Sequence, residues 1–316
     1  MFFWRRWKRL AARGVVGMNR RNIRYVGAYN DRRLYPLVDD KRRTKELAAE
    51  HGVATPSLLA TVETQFQVRG LSRFLARQSG FAMKPARGSG GKGILVVTDT
   101  ADGVFRRGGE VIPASEIERH ASNILSGLYS LGGTPDVAVV EGLVTCDPLL
   151  AEWSGGGVPD IRVVVFRGYP VMAMLRLGTT ASGGKANLHQ GAVGVGLDLA
   201  TGRAVQGVQF DRPCHAHPDS GAHFGELAVP GWEALLAEAA ACYDMTGLGY
   251  LGVDLVLDRD RGPLLLELNA RPGLAIQMTN GEGLKPRLDR VEAEPAGRPA
   301  AERAEWARAA FPRTTL

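Results

Sequence analysis

The segment from Gly252 to Gly273, G-V-D-L-V-L-D-R-D-R-G-P-L-L-L-E-L-N-A-R-P-G, constrains this chain more than any other stretch. Two apolar runs flank the turn-forming Arg259-Asp260-Arg261-Gly262, which is the pattern of a β-hairpin. With a four-residue loop, Asp258 faces Pro263 and, counting back in antiparallel register, Asp254 faces Glu267. Period two then puts Asn269 on the same face as Glu267. Two carboxylates and an amide oxygen converge on a face otherwise built of Val and Leu. Like charges directly opposed destabilise a sheet, and burying them costs more, so something cationic should neutralise them. Three hard oxygen donors suit Mg²⁺ held together with nucleotide phosphates. A solvated acidic face is the bland alternative, and it sits poorly with so dense an apolar run.

A second feature is the loop Gly88-Ser89-Gly90-Gly91-Lys92-Gly93. Consecutive glycines let backbone N–H groups approach phosphate oxygens, and Arg87 and Lys92 add positive charge. It is not a Walker A loop: Gly93 stands where Ser or Thr should follow the lysine, and strand-like runs at 81–85 and 94–97 flank it instead of a helix. A flexible turn is the alternative. Lys84, inside an apolar strand between Met83 and Pro85, is hard to bury without an anionic partner. A third feature is Asp160-Ile161-Arg162 at a strand start. Arg176 lies near the end of the partner strand, and Asn187-Leu188-His189-Gln190-Gly191 lies beyond. Arginines there could fork onto a carboxylate or phosphate, or pair structurally with Asp160 or Glu152; the hairpin register is ambiguous by one residue, so a shared face for Arg162 and Arg176 is not fixed.

The chain has 316 residues, 45% hydrophobic and 23% charged, which excludes a small stapled module and disorder along most of its length. Three scattered cysteines, Cys146, Cys214 and Cys242, form no disulfide framework, and a reducing, cytoplasmic setting is expected. Residues 1–45 carry 14 Lys and Arg against 3 acids, so the remainder is net −5. Without that arm the body is negative, and no specific nucleic-acid partner is expected. The arm opens Phe2, Phe3, Trp4, Arg5, Arg6, Trp7, Lys8, Arg9, Leu10, without the apolar core of a signal peptide. Residues 2–13 are read either as a contact with a membrane surface or protein, or as a helix packing on the body. Cys214, His215, His217 and His223 offer metal ligands within ten residues. No second cluster completes a zinc site, and Pro213, Pro218 and Gly221 mark a loop.

Helices are expected from near Asp39-Asp40 to Gly52, over 66–79 and 115–131, and from Trp232 to Tyr243. Strands are expected over 137–141 and in hairpins over 161–177 and 252–268. The order of these motifs resembles the ATP-grasp superfamily, and within it the alpha-L-glutamate ligase-like branch related to ribosomal-protein glutamate ligases. The matching stretches are D-D-K-x-x-T-K-x-L-A-x-x-H-G-V-x-T-P (39–56), F-A-M-K-P-A-R-G-S-G-G-K-G-I (81–94), D-I-R-V (160–163), N-L-H-Q-G-A (187–192) and G-V-D-L…L-E-L-N-A-R-P-G (252–273). Gly142 and Gln190 depart from the pattern, which often has an acid and an arginine there.

The resemblance implies an α+β, ATP-grasp fold with a truncated N-terminal domain, in which two lobes with mostly antiparallel sheets grip ATP. It further implies Lys41 and Lys84 toward the phosphates, residues Gly88, Ser89, Gly90, Gly91 and Lys92 as a lid, and Glu141 beside adenine and ribose. Asp254, Glu267 and Asn269 would ligate Mg²⁺, with Mn²⁺ as a substitute. Arg162, Arg176, Asn187 and Arg271 would contact phosphate or acyl phosphate. The expected organisation is a basic aromatic arm (1–38), a first lobe with the lid (39–140), a second lobe with the metal site (141–290) and a peripheral helical tail (291–316). The expected activity is an ADP-forming ligase that joins a small-molecule or peptide carboxylate to an amine, adding an amino acid such as glutamate. An ATP-grasp kinase acting on a hydroxyl, or a nucleotide-binding scaffold recruited to a membrane or partner, are the alternatives.

Overall fold

The computed structural model describes residues 8–88, 90–153 and 157–313; Ser89 and the stretch from Phe2 to Trp7 singled out above lie outside them. The chain forms two compact units: residues 39–46 with 55–144, and residues 1–38, 47–54 and 145–316.

In the smaller unit, β1 (Leu58–Val62), β2 (Phe81–Pro85), β3 (Leu95–Val97) and β6 (Ala138–Gly142) make a four-stranded sheet in the order β1-β6-β2-β3. A short hairpin, β4 (Phe105–Arg107) and β5 (Glu110–Ile112), forms a separate two-stranded sheet whose Phe105 and Ile112 join the core of this unit. Alternation sends Phe81, Met83 and Val140 to one face. There they join Ile117, Ala121 and Ile124, spaced along one stripe of the helix Ala114–Leu125, in a core with no measurable exposure at these positions.

The larger unit carries a seven-stranded sheet, β7 (Asp160–Phe166), β8 (Tyr169–Leu177), β9 (Val193–Leu197), β10 (Ala204–Gln209), β11 (Arg212–Cys214), β12 (Tyr250–Asp258) and β13 (Gly262–Asn269). Its order is β11-β10-β9-β8-β7-β12-β13. Every strand pairing described in the two sheets is antiparallel. Helix Trp232–Thr246 buries Leu235, Leu236, Ala239 and Ala240 against this sheet. Gly196 on β9 is required by packing: a Cβ there would lie 2.2 Å from the Thr279 carbonyl oxygen, so only glycine lets the turn Ile276–Thr279 close onto the strand.

Residues 14–38, read from the sequence as part of an arm, are packed into the larger unit. Val16, Tyr25, Val26 and Val38 are buried in its core, and the Tyr25 ring stacks 5.9 Å from that of Tyr250. The C-terminal helix Ala300–Ala310 is likewise anchored. The Arg303 guanidinium donates to Asp244 Oδ2 at 2.5 Å and to the carbonyls of Gly168 and Ala240 at 3.1 and 3.2 Å. Glu141 belongs to β6, whose partners are β1 and β2, so the smaller unit runs to Val144 and not to 140.

The β12–β13 register differs from the counted one. Asp258 pairs with Gly262 and Leu257 with Pro263, a loop one residue shorter than expected. Continued unbroken, that register would set Asp254 against Leu266 and turn Glu267 to the other face. A bulge between Asp254 and Leu255 takes up Leu266 as the extra residue and restores Asp254 opposite Glu267. Two departures cancel, and the carboxylates share a face.

Candidate functional site

In the smaller unit, Lys84 on β2 pairs with Val139 and Ala82 with Glu141, so Lys84 and Glu141 are diagonal neighbours on the face opposite Phe81 and Met83. Lys84 Nζ lies 2.5 Å from Glu141 Oε2, and Lys45 Nζ lies 2.8 Å from Oε1. The anionic partner that a buried Lys84 needs is therefore Glu141. Both carboxylate oxygens of Glu141, expected beside adenine and ribose, are engaged by ammonium groups. Lys45 was not among the expected residues. Its position four after Lys41, on the same helical face, was the available signal.

Lys41 donates from Nζ to the Gly88 carbonyl at 2.9 Å and from its backbone N–H to Ala86 at 3.1 Å, which ties it to the start of the glycine loop. Asp136 fixes the loop base: it accepts the Arg87 backbone N–H at 3.1 and 3.2 Å and the Ser130 hydroxyl at 2.7 Å. At Gly88 a Cβ would strike Pro85 at 2.2 Å, whereas Gly90 and Gly91, at φ +65° and +74°, have open space around the Cβ position. Backbone N–H groups in that left-handed, side-chain-free stretch can reach a polyphosphate. Lys92 is exposed beside them.

In the larger unit, β7 lies between β8 and β12 and sets the second cluster. Asp254 pairs with Arg162, and Asp160 with Arg176, so all four share one face. The register that the sequence left ambiguous is thereby fixed. Arg162 grips Asp254 with two hydrogen bonds, from Nε to Oδ1 and from Nη2 to Oδ2, the latter at 2.6 Å. Arg176 Nη2 reaches Asp254 Oδ2 at 2.9 Å and also donates to Asp160. Asn269 Nδ2 lies 3.4 Å from Asp254 Oδ2, and Glu267 stands across the strand pair from Asp254, half-buried. The cation that the sheet face requires is supplied here by two guanidinium groups. Burial pushes the Asp254 carboxyl up, yet Arg162 and Arg176 more than reverse this and hold it below the usual carboxylate range.

Asp160 is the other unexpected member. Burial raises its carboxyl to about 6, against the pull of Arg176 and with the Asp254 charge adding to the rise. Its folded value lies above the unfolded one. Its contribution to stability is therefore complete below pH 4 and is lost as the pH rises through 6. Asp160→Asn should remove that loss, leaving the wild type relatively weaker at pH 7.5 than at pH 4.5 by up to about 2 kcal/mol. Urea unfolding at the two pH values, without metal or nucleotide, measures it; an identical pH dependence in the variant would sink the assignment.

Asn187 and Arg271 are held elsewhere. The Asn187 side chain accepts the His189 N–H at 3.0 Å and caps a short turn, and the exposed Arg271 lies 5.2 Å over the Tyr35 ring. His217 is buried, with Nε2 on the Gly178 carbonyl at 3.0 Å and Nδ1 accepting the Asp219 and Ser220 N–H groups at 3.4 Å.

Among the described residues no group of three His, Cys, Asp or Glu side chains is arranged to hold a metal ion. The oxygen donors on the β12–β13 face are those of Asp254, Glu267 and the Asn269 amide. Asp254 Oδ1 receives a single guanidinium hydrogen bond, so it retains acceptor capacity. That set fits a hard cation with few protein ligands, which takes its remaining oxygens from a bound polyphosphate and water.

A family profile described as sugar-transfer associated ATP-grasp matches residues 20–293, a span that contains both clusters. The chain belongs to that ATP-grasp family. Its fold is the ATP-grasp fold, and the glutamate-ligase branch to which its motifs are likened finds no support in the match. A search of curated proteins gives no significant sequence match. Among solved structures, the ATP-grasp ligase PsnB complexed with minimal precursor is similar to this ATP-grasp protein. Identity is 17% and the TM-score 0.46, over 84% of this chain and 63% of that one. The D-cycloserine synthetase DcsG matches at 17% identity and TM-score 0.46 over 88% and 73% of the two chains. D-alanine–D-alanine ligase from Bacillus anthracis matches at 12% and 0.45 over 89% and 68%. The chain spans 63% of the length of the first of these. No helix among the described residues of this ATP-grasp protein is long and apolar enough to cross a membrane.

Proposed function

We propose that this ATP-grasp protein is an ATP- and Mg²⁺-dependent carboxylate–amine ligase, joining an amino acid to a peptide or small-molecule acid. The observation that carries the reading is Asp254, kept ionised by Arg162 and Arg176 and set beside Glu267 and Asn269 on one sheet face. Lys84, Lys41 and the N–H groups of Gly90 and Gly91 hold the nucleotide phosphates. Bound at Asp254, Glu267 and Asn269, Mg²⁺ would draw charge from the transferring phosphoryl group.

The substrate carboxylate attacks the γ-phosphorus and ADP leaves, giving an acyl phosphate. The amine nitrogen then attacks the acyl carbon, the C–O bond to phosphate breaks, and the amide forms with loss of the amine proton. Arg176, held by Asp160 and Asp254 through Nη2, is suited to hold the carboxylate and then the leaving phosphate, since a guanidinium binds both in the same geometry, while the Arg162 fork stays on Asp254. The glycine loop over the phosphates keeps water from the acyl phosphate.

The test mixes protein, ATP and Mg²⁺ with pooled amino acids and short peptides, and follows ADP, free phosphate and product mass separately. Equal ADP and phosphate, dependent on both an acid and an amine, with a product lighter than their sum by one water, is the expected result. ADP without phosphate, and a product heavier by a phosphoryl group, would make it a kinase. Nucleotide binding with no turnover on any acid–amine pair would favour a scaffold.

A further inference from the structure

The N-terminal helical region has two faces of opposite character. Residues 18–29 run as one helical stretch whose middle, Arg21–Val26, has π-helical hydrogen bonding. One side is locked in the core by Tyr25 and Val26, with the Tyr29 hydroxyl donating to Glu292 at 2.8 Å. The other side leaves Met18 64% and Ile23 72% exposed, unusual values for large apolar side chains. Met18, in the first turn, and Ile23, in the π-helical segment, both lie on the side left to solvent. Arg20 and Arg24 flank them, both exposed. The helical segment 8–12 adds exposed Lys8, Arg9 and Leu10, with Arg13 following.

No acid occurs among residues 1–30. Of the acids packed nearest, Asp289 is ion-paired with Lys285 while Glu292 keeps its charge as it accepts from Tyr29; against them stand Lys8, Arg9, Arg13, Arg20, Arg21 and Arg24, so the face remains net positive. Met18 and Ile23 are framed by cations on a surface fixed to the body.

We propose that this face, centred on Met18, Arg20, Ile23 and Arg24, seats the protein on an anionic lipid surface. The apolar side chains enter the headgroup boundary while the arginines meet lipid phosphates. A protein groove would meet Met18 and Ile23 with apolar walls but leave the surrounding arginines needing paired acids. An anionic bilayer satisfies both at once and over the whole face. The inference is independent of the ligase reading, because none of these residues belongs to either cluster.

The test is co-sedimentation of the full chain with vesicles of phosphatidylcholine alone and of phosphatidylcholine with phosphatidylglycerol. Binding only to the anionic vesicles, weakening as salt rises, is expected. The double variant Arg20→Glu with Arg24→Glu should weaken it by at least about tenfold, since each basic residue near such a surface contributes appreciably. Met18→Ser with Ile23→Ser should weaken it at every salt concentration and leave the melting temperature unchanged, because these side chains touch solvent. Equal binding to neutral vesicles, anionic binding that both variants retain, or a concentration-dependent dimer abolished by Ile23→Ser would each overturn the proposal.

Discussion

Glu267→Gln should lower ATP turnover by about a hundredfold to a thousandfold with the fold intact, the scale of loss seen when a group that stabilises transition-state charge is removed. Glutamine keeps the size of the side chain at a half-buried position and removes one negative charge from the face where Asp254 and Asn269 stand. A neutral amide is a much poorer ligand for a hard dication, so the affinity for Mg²⁺ with nucleotide should fall along with the rate. Asp254→Asn should be as inactive but also less stable. Asp254 is the hub on which Arg162 and Arg176 close, and its loss takes that partner from two buried guanidinium groups and leaves Arg176 with Asp160, at about 3–5 kcal/mol for a broken buried pair. The contrast between the two variants is the informative part. Turnover and urea unfolding measured on both should separate a chemical role from a structural one, and normal turnover by either would remove the hairpin from the site.

Lys84→Met should lower turnover by about a hundredfold or more and weaken nucleotide binding, while costing little stability. The Glu141 carboxylate keeps Lys45 at 2.8 Å when Lys84 is lost, so no buried anion is stranded. Methionine also fills the stem volume between Met83 and Pro85. Glu141→Gln is the control. It releases both ammonium groups from their shared partner, so it should destabilise the smaller unit more than Lys84→Met does. Calorimetric titration with a non-hydrolysable ATP analogue, beside thermal melts, reads both effects. Unchanged affinity in Lys84→Met would make the pair with Glu141 purely structural.

The sequence carries the hairpins and the glycine loop plainly, because alternation and turn residues are local signals. The Asp254–Glu267 pairing was reached by a count that missed both the shorter turn and the bulge at Leu266; a bulge has no local signature in a Leu-Leu-Leu run. The ammonium groups on Glu141 were harder to see, since Lys45 and Lys84 come from a helix and a strand 39 residues apart in sequence. Asp160 was read only as a structural ion-pair partner for an arginine. Its membership in the cluster depends on the β7–β8 register, which hydrophobic pattern alone left open. The packing of residues 14–38 was hidden because Tyr25 and Val26 sit among arginines and asparagines, in a π-helical turn whose period matches neither common template.

The central claim is that a carboxylate is activated by phosphorylation, and the fate of one oxygen atom tests it directly. With the acid labelled with ¹⁸O in its carboxylate, turnover with ATP, Mg²⁺ and amine should release phosphate carrying one labelled oxygen, since the acyl C–O bond is the one broken when the amine attacks. Unlabelled phosphate accompanying amide formation would contradict the account.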